Sequence, residues 1–375
     1  MRFDPQYFNA WLERVDPGAH RRVKGLRLVT AYGIAMGLGT LQGVTAGLPA
    51  NVSAGTLAGG FALWASVSEA QTARYASTRD LAILCVAAAL GAVLFALLVP
   101  LSGTPFLMSH GLGGGEWILV TGAFFAGLLK RYGSIGAGVG SQVYIGQLLA
   151  YGAHLGPGDL GAIALSCLIA ILAAAVPRLL SGPAELPAVP AVAPGAATSR
   201  SKAFLRSAEL AMGVQAAVAA AIVVVLHSVW GLVESAWAIT ACVYVVTATA
   251  AGTMERVRRR IVGTLVGVPL GLACLPAAEH APLLVWVAAS LAMIVYAMAL
   301  PERYDVACGA FAFALVVTLA ATGEHSVAVL VARAWETVLG GALGLAMAVF
   351  VFPVRAEPPA VADASSDTRR PPGPG

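Results

Sequence analysis

Charge is what this chain has least of. Asp, Glu, Lys and Arg make up 11% of its 375 residues, against about 25% in ordinary soluble domains. With 58% hydrophobic residues and a mean hydropathy of +0.80, no water-soluble fold could hide its apolar surface and keep a wettable exterior. That class is excluded, and lipid is the implied solvent. Cysteine is sparse too. Cys85, Cys167, Cys242, Cys274 and Cys308 stand singly in apolar runs with no C-x-x-C, so they read as small packing residues without a disulfide framework. There is no H-E-x-x-H, G-x-S-x-G or Walker A motif, so no enzyme and no cofactor are expected. Glu279-His280 and Glu324-His325 lack a defined ligand spacing and read as loop residues, with no metal site. The net charge of +4 is small, and no nucleic-acid partner is expected. The start, MRFDPQYFNAWLERVDPGAHRR, has no apolar core of a cleavable signal. Phe8, Trp11, Leu12 and Val15 share a helical face there, as either an interfacial helix or a frayed terminus.

Apolar runs are what the chain has most of. A spanning helix needs about 20 mainly apolar residues, because lipid offers the backbone no hydrogen-bond partner. Twelve candidates emerge, at roughly 26–48, 51–70, 81–101, 116–130, 134–152 and 160–178, and then 207–228, 234–254, 260–277, 282–300, 306–322 and 331–353. The predicted fold is therefore an all-α polytopic membrane protein of about 12 transmembrane helices in two six-helix bundles. Residues 1–25 form a cytoplasmic segment, 26–180 the first half, 181–202 a Pro/Ala-rich linker, 203–354 the second half and 355–375 a disordered tail. Loops 102–115, 153–159, 229–233, 278–281 and 323–330 hold no Lys or Arg, whereas the alternate loops are basic. The positive-inside rule then puts both termini in the cytoplasm. Arg27 and Arg206, and Arg79 and Arg258, are both separated by 179 residues, which suggests an internal duplication. Halves of six helices share an orientation and relate by an axis along the membrane normal.

The stretch ERVRRRIVGTLVGVPLG (255–271) could be a phosphate loop or the mouth of a helix. The charge pattern of the loops decides for the helix. Gly263, Gly267 and Gly271, four apart, let a neighbour approach closely.

Charged groups within spans are candidate functional residues by default. Arg333 and Glu336, three apart, share a helix face, and Arg206 and Glu209 repeat the spacing. Each pair reads either as an anchor at the interface or as an anion-binding arginine with an acid beside it. Glu209 and Glu336 are the candidates to carry a coupling proton. Glu116, Asp159 and Glu234 begin helices, where acids complement the dipole. Gln42, Gln142, Gln147 and Gln215, with Tyr144 and Thr240, either join helices or line a polar passage. Pro269 would kink the ninth helix.

In the second half the motifs occur in a set order: Trp237-Ala-Ile-Thr, Arg258/Arg259 before Gly263-Thr264 and Gly267, then Arg333-Ala-Trp-Glu336-Thr337 with Gly340, Gly341, Gly344 and Pro353. This resembles the integral membrane domain of the fusaric acid resistance family, which includes aromatic acid exporters. The first half departs from it, with Asp159 where Arg333 would be expected. The resemblance implies proton-coupled efflux of small organic anions, typified by aromatic carboxylates, across the inner membrane. Arg79, Arg206, Arg258, Arg259, Arg333, Trp237 and Thr264 are the implied substrate-binding residues. The implied partners are organic anions, protons and the bilayer. A periplasmic adaptor protein, as in Gram-negative relatives, and a homo-oligomer are left open. A passive organic-anion channel, like the malate-permeable channels of the same superfamily, is the alternative, and a non-transporting scaffold is another.

Overall fold

The computed structural model of the protein describes residues 14, 16, 19–47, 53–70, 73–103, 115–181, 207–232, 235–300, 302–321 and 327–351, of which 277–279, 282 and 327–330 are described by backbone alone. Among the described residues the only regular structure is helical. The longer helices, in chain order, are α1 His20–Thr40, α2 Ala54–Ser68, α3 Arg74–Leu98, α4 Glu116–Leu128, α5 Gly133–Gly152 and α6 Leu160–Leu180. They continue with α7 Ala208–Trp230, α8 Ser235–Val245, α9 Ala250–Ala273, α10 Pro282–Ala299, α11 Tyr304–Ala321 and α12 Val327–Phe350. Side-chain caps start several of them. Ser53 Oγ accepts from Thr56 N, Ser207 Oγ from Leu210 N and Thr249 Oγ1 from Gly252 N, satisfying donors that the helix cannot. Ahead of α1, Asp16 accepts from the backbone N–H of Arg21 and Arg22.

Among the described residues, four helical segments are long and apolar enough to cross a membrane: Arg74–Gly103, Pro157–Leu180, Ala208–Trp230 and Tyr304–Ala321. Large apolar side chains stand exposed at helical spacing on outer faces, as in Ile83, Val86, Leu90 and Leu97 of α3 and Leu168, Leu172, Val176 and Leu179 of α6. Stripes of this kind would be insoluble in water and mark the surface that meets lipid.

The expected span 234–254 is cut short. α8 ends at Val245, and α9 begins at Ala250, so the arginine-rich stretch 255–260 is already helical. A threonine cluster makes the break: Thr247 Oγ1 and Thr253 Oγ1 both donate to Thr249 O, and Thr247 N donates to Thr253 Oγ1. With 11 residues, α8 is about 16 Å long, half of the ~30 Å hydrocarbon layer. It is nonetheless buried on almost every side, at Ala236, Ala238, Ile239, Thr240, Ala241 and Cys242 among others. The sixth helix runs close to its expected 160–178, with Pro177 inside α6 and the end at Leu180.

The packing partners repeat along the chain. α1 packs on α2 and α6 as α7 packs on α8 and α12; α3 packs on α5 and α6 as α9 packs on α11 and α12. α4 lies on α5 as α10 lies on α11, and α2 on α6 as α8 on α12. Between the two series the exchange is reciprocal, with α4 against α7 and α10 against α1. Glycines set the closest approaches. A Cβ at Gly146 would fall on Ala88 O between α3 and α5, and one at Gly267 on Gly309 O between α9 and α11. On the seam between the series, Gly127 of α4 faces the backbone of Gly213 in α7. One buried cluster crosses that seam, joining Leu119, Ala123 and Tyr144 to Ala219, Ile239 and Cys242.

Polar side chains inside the bundle staple helices together. Gln142 Nε2 donates to Trp64 O and Ser68 Oγ, Gln147 Nε2 to Thr121 Oγ1, and Gln215 Nε2 to Val351 O. Tyr144 and Thr240 hydroxyls share a hydrogen bond of 2.7 Å between α5 and α8. Of the two sequence readings, these contacts are those of helix joining.

Candidate functional site

Arg256, Arg260, Thr264 and Val268 follow one another at four-residue steps along α9, so they share one face. Arg260, Thr264 and Val268 line a cavity closed by Trp237 of α8, Phe311 of α11, and Arg333 and Thr337 of α12. The Arg333 guanidinium lies over the Trp237 ring, 4.7 Å from its centroid. Phe311 stands 6.2 Å from Trp237, 5.4 Å from Trp64 of α2 and 6.0 Å from Tyr296 of α10. The first half of the chain therefore backs the wall, through Trp64 behind Phe311. Arg260 Nη1 donates to Tyr304 Oη at 3.4 Å. Thr337 returns its hydroxyl to Arg333 O at 2.8 Å. Glu336, next to Thr337, is fully buried.

Two guanidinium groups thus meet an aromatic wall in a low-dielectric interior. Such a fork matches a carboxylate bidentately, and the ring faces accept a flat ligand by offset or edge contact. The cavity holds about 40 Å³, room for little more than a water molecule. A ring-sized ligand enters only when the helices part.

Of the residues the sequence singled out, Trp237, Thr264 and Arg333 come together in this cavity. Arg258 and Arg259 do not. They line a separate hollow at the surface with Glu302, Arg303 and Asp305. Both donate to Glu255, at 3.1 and 2.6 Å, and Arg259 also reaches Glu302 O. Arg79 donates to its neighbour Asp80 at 3.1 Å. Glu209 lies in the first turn of α7, and Arg206 lies outside the described residues. Arg260 was passed over in the sequence as one more basic residue of a boundary cluster, yet its spacing of four from Thr264 would have singled it out.

Near the surface hollow, Arg21 of α1 grips Glu302 with its Nη2 at 2.6 Å and Nη1 at 3.3 Å. The hydrogen bond from Arg21, aided by its charge, holds the Glu302 carboxyl below the usual carboxylate range. This ion pair ties α1 to the turn between α10 and α11.

No curated protein and no solved structure matches the chain. Residues 218–347, from the middle of α7 to the last turn of α12, match the family model described as "Fusaric acid resistance protein-like", and this segment holds every residue lining the cavity.

Proposed function

We propose that the protein is a multi-pass transporter that exports small organic anions, aromatic carboxylates first among them, across the inner membrane in exchange for protons. The observation that carries this reading is Arg333 stacked over Trp237, with Arg260 in the same buried cavity. Arg333 and Arg260 receive the carboxylate, Thr264 adds a hydroxyl, and the substrate ring lies against Trp237 and Phe311. Glu336, buried in the same helix as Arg333, is the acid that exchanges the proton: it binds one after the anion has left and releases it before the next anion is bound. Glu209 is the second acid for that role. Arg79, Arg206, Arg258 and Arg259 draw anions to the cytoplasmic face. The repeated packing partners support two six-helix transmembrane repeats, and the basic alternate loops support both termini in the cytoplasm.

Reconstituted vesicles with an imposed pH gradient test the reading. A labelled aromatic carboxylate should move faster than its saturated-ring analogue, and collapse of the gradient by an uncoupler should stop it. Flux that persists without the gradient identifies an anion channel. No flux at all leaves a scaffold.

A further inference from the structure

On the seam where α4 meets α7 and α8, side chains from both halves of the chain close on one carboxylate. Glu116 opens α4 and is 3% exposed. Its Oε1 accepts from the Tyr151 hydroxyl of α5 at 2.9 Å and the Ser235 hydroxyl of α8 at 3.3 Å. The same oxygen lies 3.2 Å from His227 Nε2 of α7. The other ring nitrogen, Nδ1, is 2.8 Å from Leu232 O. Complementing the α4 dipole would explain an acid here, but not a histidine aimed at it from another helix.

The geometry counts the protons. A backbone carbonyl only accepts, so His227 Nδ1 carries hydrogen. A neutral ring would then turn the bare lone pair of Nε2 toward Glu116, and a carboxylate facing a lone pair is repelled. One proton between Nε2 and Oε1 removes the conflict, either as imidazolium with carboxylate or as imidazole with carboxylic acid. We propose that Glu116 and His227 form a proton-binding site that locks the two halves together on this face and fixes the start of α8.

The site has a direct line to the anion cavity. Ser235, held by Glu116, stands two residues before Trp237, the ring under Arg333. While the proton is bound, α8 is held against α4 and α7. When it leaves as the pH rises, the seam loosens and Trp237 is freed to move. The other groups facing the pair are the Tyr151 and Ser235 hydroxyls. Charges on the remaining packed elements stand elsewhere: Arg74, Arg79 and Asp80 begin α3, and Arg333 and Glu336 lie in α12 near the cavity. Glu234, next to Ser235, is outside the described residues. The proton site itself needs only this geometry; its use in transport rests on the reading given under Proposed function.

Thermal unfolding of the full chain in detergent, followed from pH about 5 to about 9, tests the site across the range where imidazoles titrate. Relative to the E116Q/H227Q double variant, the wild type should lose stability as pH rises. That step should be missing from E116Q and from H227Q alone. A step that survives in either single variant overturns the proposal. Should the variants not fold, nitrogen NMR of the wild-type imidazoles decides: a His227 ring without hydrogen on Nδ1 overturns it. Binding of a labelled aromatic carboxylate forms the second arm. Its affinity should change about 5-fold or more with pH in the wild type and clearly less in H227Q, where Glu336 alone remains to couple the anion to pH. Absence of any anion binding, with the unfolding step intact, supports the proton site and counts against the transport reading alone.

Discussion

Arg333→Gln separates the buried cavity from the surface arginines. In the structure Arg333 belongs to the cavity, over Trp237, whereas Arg258 is 71% exposed and tied to Glu255. Gln keeps much of the length but loses the charge and the fork. Hydrogen bonds to a charged group contribute about 1.5–3 kcal/mol, so Arg333→Gln should weaken binding of an aromatic carboxylate by about 10- to 150-fold. Arg333→Lys keeps a cation near Trp237 but not the bidentate geometry, and should fall between wild type and Gln. Arg258→Gln should shift affinity by less than about 2-fold at physiological salt, where exposed charges are screened. The assay is equilibrium binding of the labelled acid to purified protein, with the thermal midpoint of each variant as a folding control. Equal losses in Arg258→Gln and Arg333→Gln would refute the assignment of binding to the cavity. So would a folded Arg333→Gln protein with unchanged affinity.

Gly267→Ala puts a methyl group onto Gly309 O and should destabilise by about 1–3 kcal/mol, read as a lowered thermal midpoint. Gly37→Ala meets nothing within 4 Å and should instead stabilise α1 by about 0.5–1 kcal/mol. Tyr144→Phe and Thr240→Val each break the 2.7 Å bond between α5 and α8; each should cost about 1 kcal/mol, and the double variant should cost less than the sum. The Glu302 pKa is lowered by Arg21, so its contribution is present above the unfolded carboxylate value of about 4.3 and is lost as pH falls through the folded value. Glu302→Gln should therefore remove part of the acid sensitivity of the thermal midpoint and leave stability at high pH lower than in wild type.

The helices were legible because apolar runs long enough to need internal hydrogen bonding announce themselves. Their ends were less so. The run from Ala236 to Ala251 stays apolar through Thr247 and Thr249, and nothing in its periodicity reveals that three threonine hydroxyls turn the backbone out of α8. Once α9 is taken to begin at Ala250, Arg260 joins Thr264 on one face and leaves Arg258 and Arg259 on another. The site was thus half legible: Trp237, Thr264 and Arg333 by resemblance, and Arg260 only by its spacing of four from Thr264, a signal lost among the arginines around it. The seams were not legible at all. Gly127 and Gly213 show that something comes close, but a glycine carries no mark of its partner. The amphipathic face at 8–15 and the tail after 355 fall largely or wholly outside the described residues.

The helices repeat their partners, but the chemistry does not follow. In the second series α12 brings Arg333 into the cavity, and α9 brings Arg260 beside it. Just ahead of the corresponding helix of the first series, Asp159 accepts from Gly156 N at 2.8 Å and serves its own turn. The first series contributes instead a ring, Trp64, packed edge-on against Phe311 of the second. Its glutamate, Glu116, is bound to His227 and Ser235 of the second as well. Each half therefore supplies what the other lacks: one holds the guanidinium pair, and the other holds the aromatic backing and the carboxylate of the seam. Relative movement of the halves must disturb the cavity and the seam together, because α8 is part of both: Trp237 lines the one and Ser235 is held in the other.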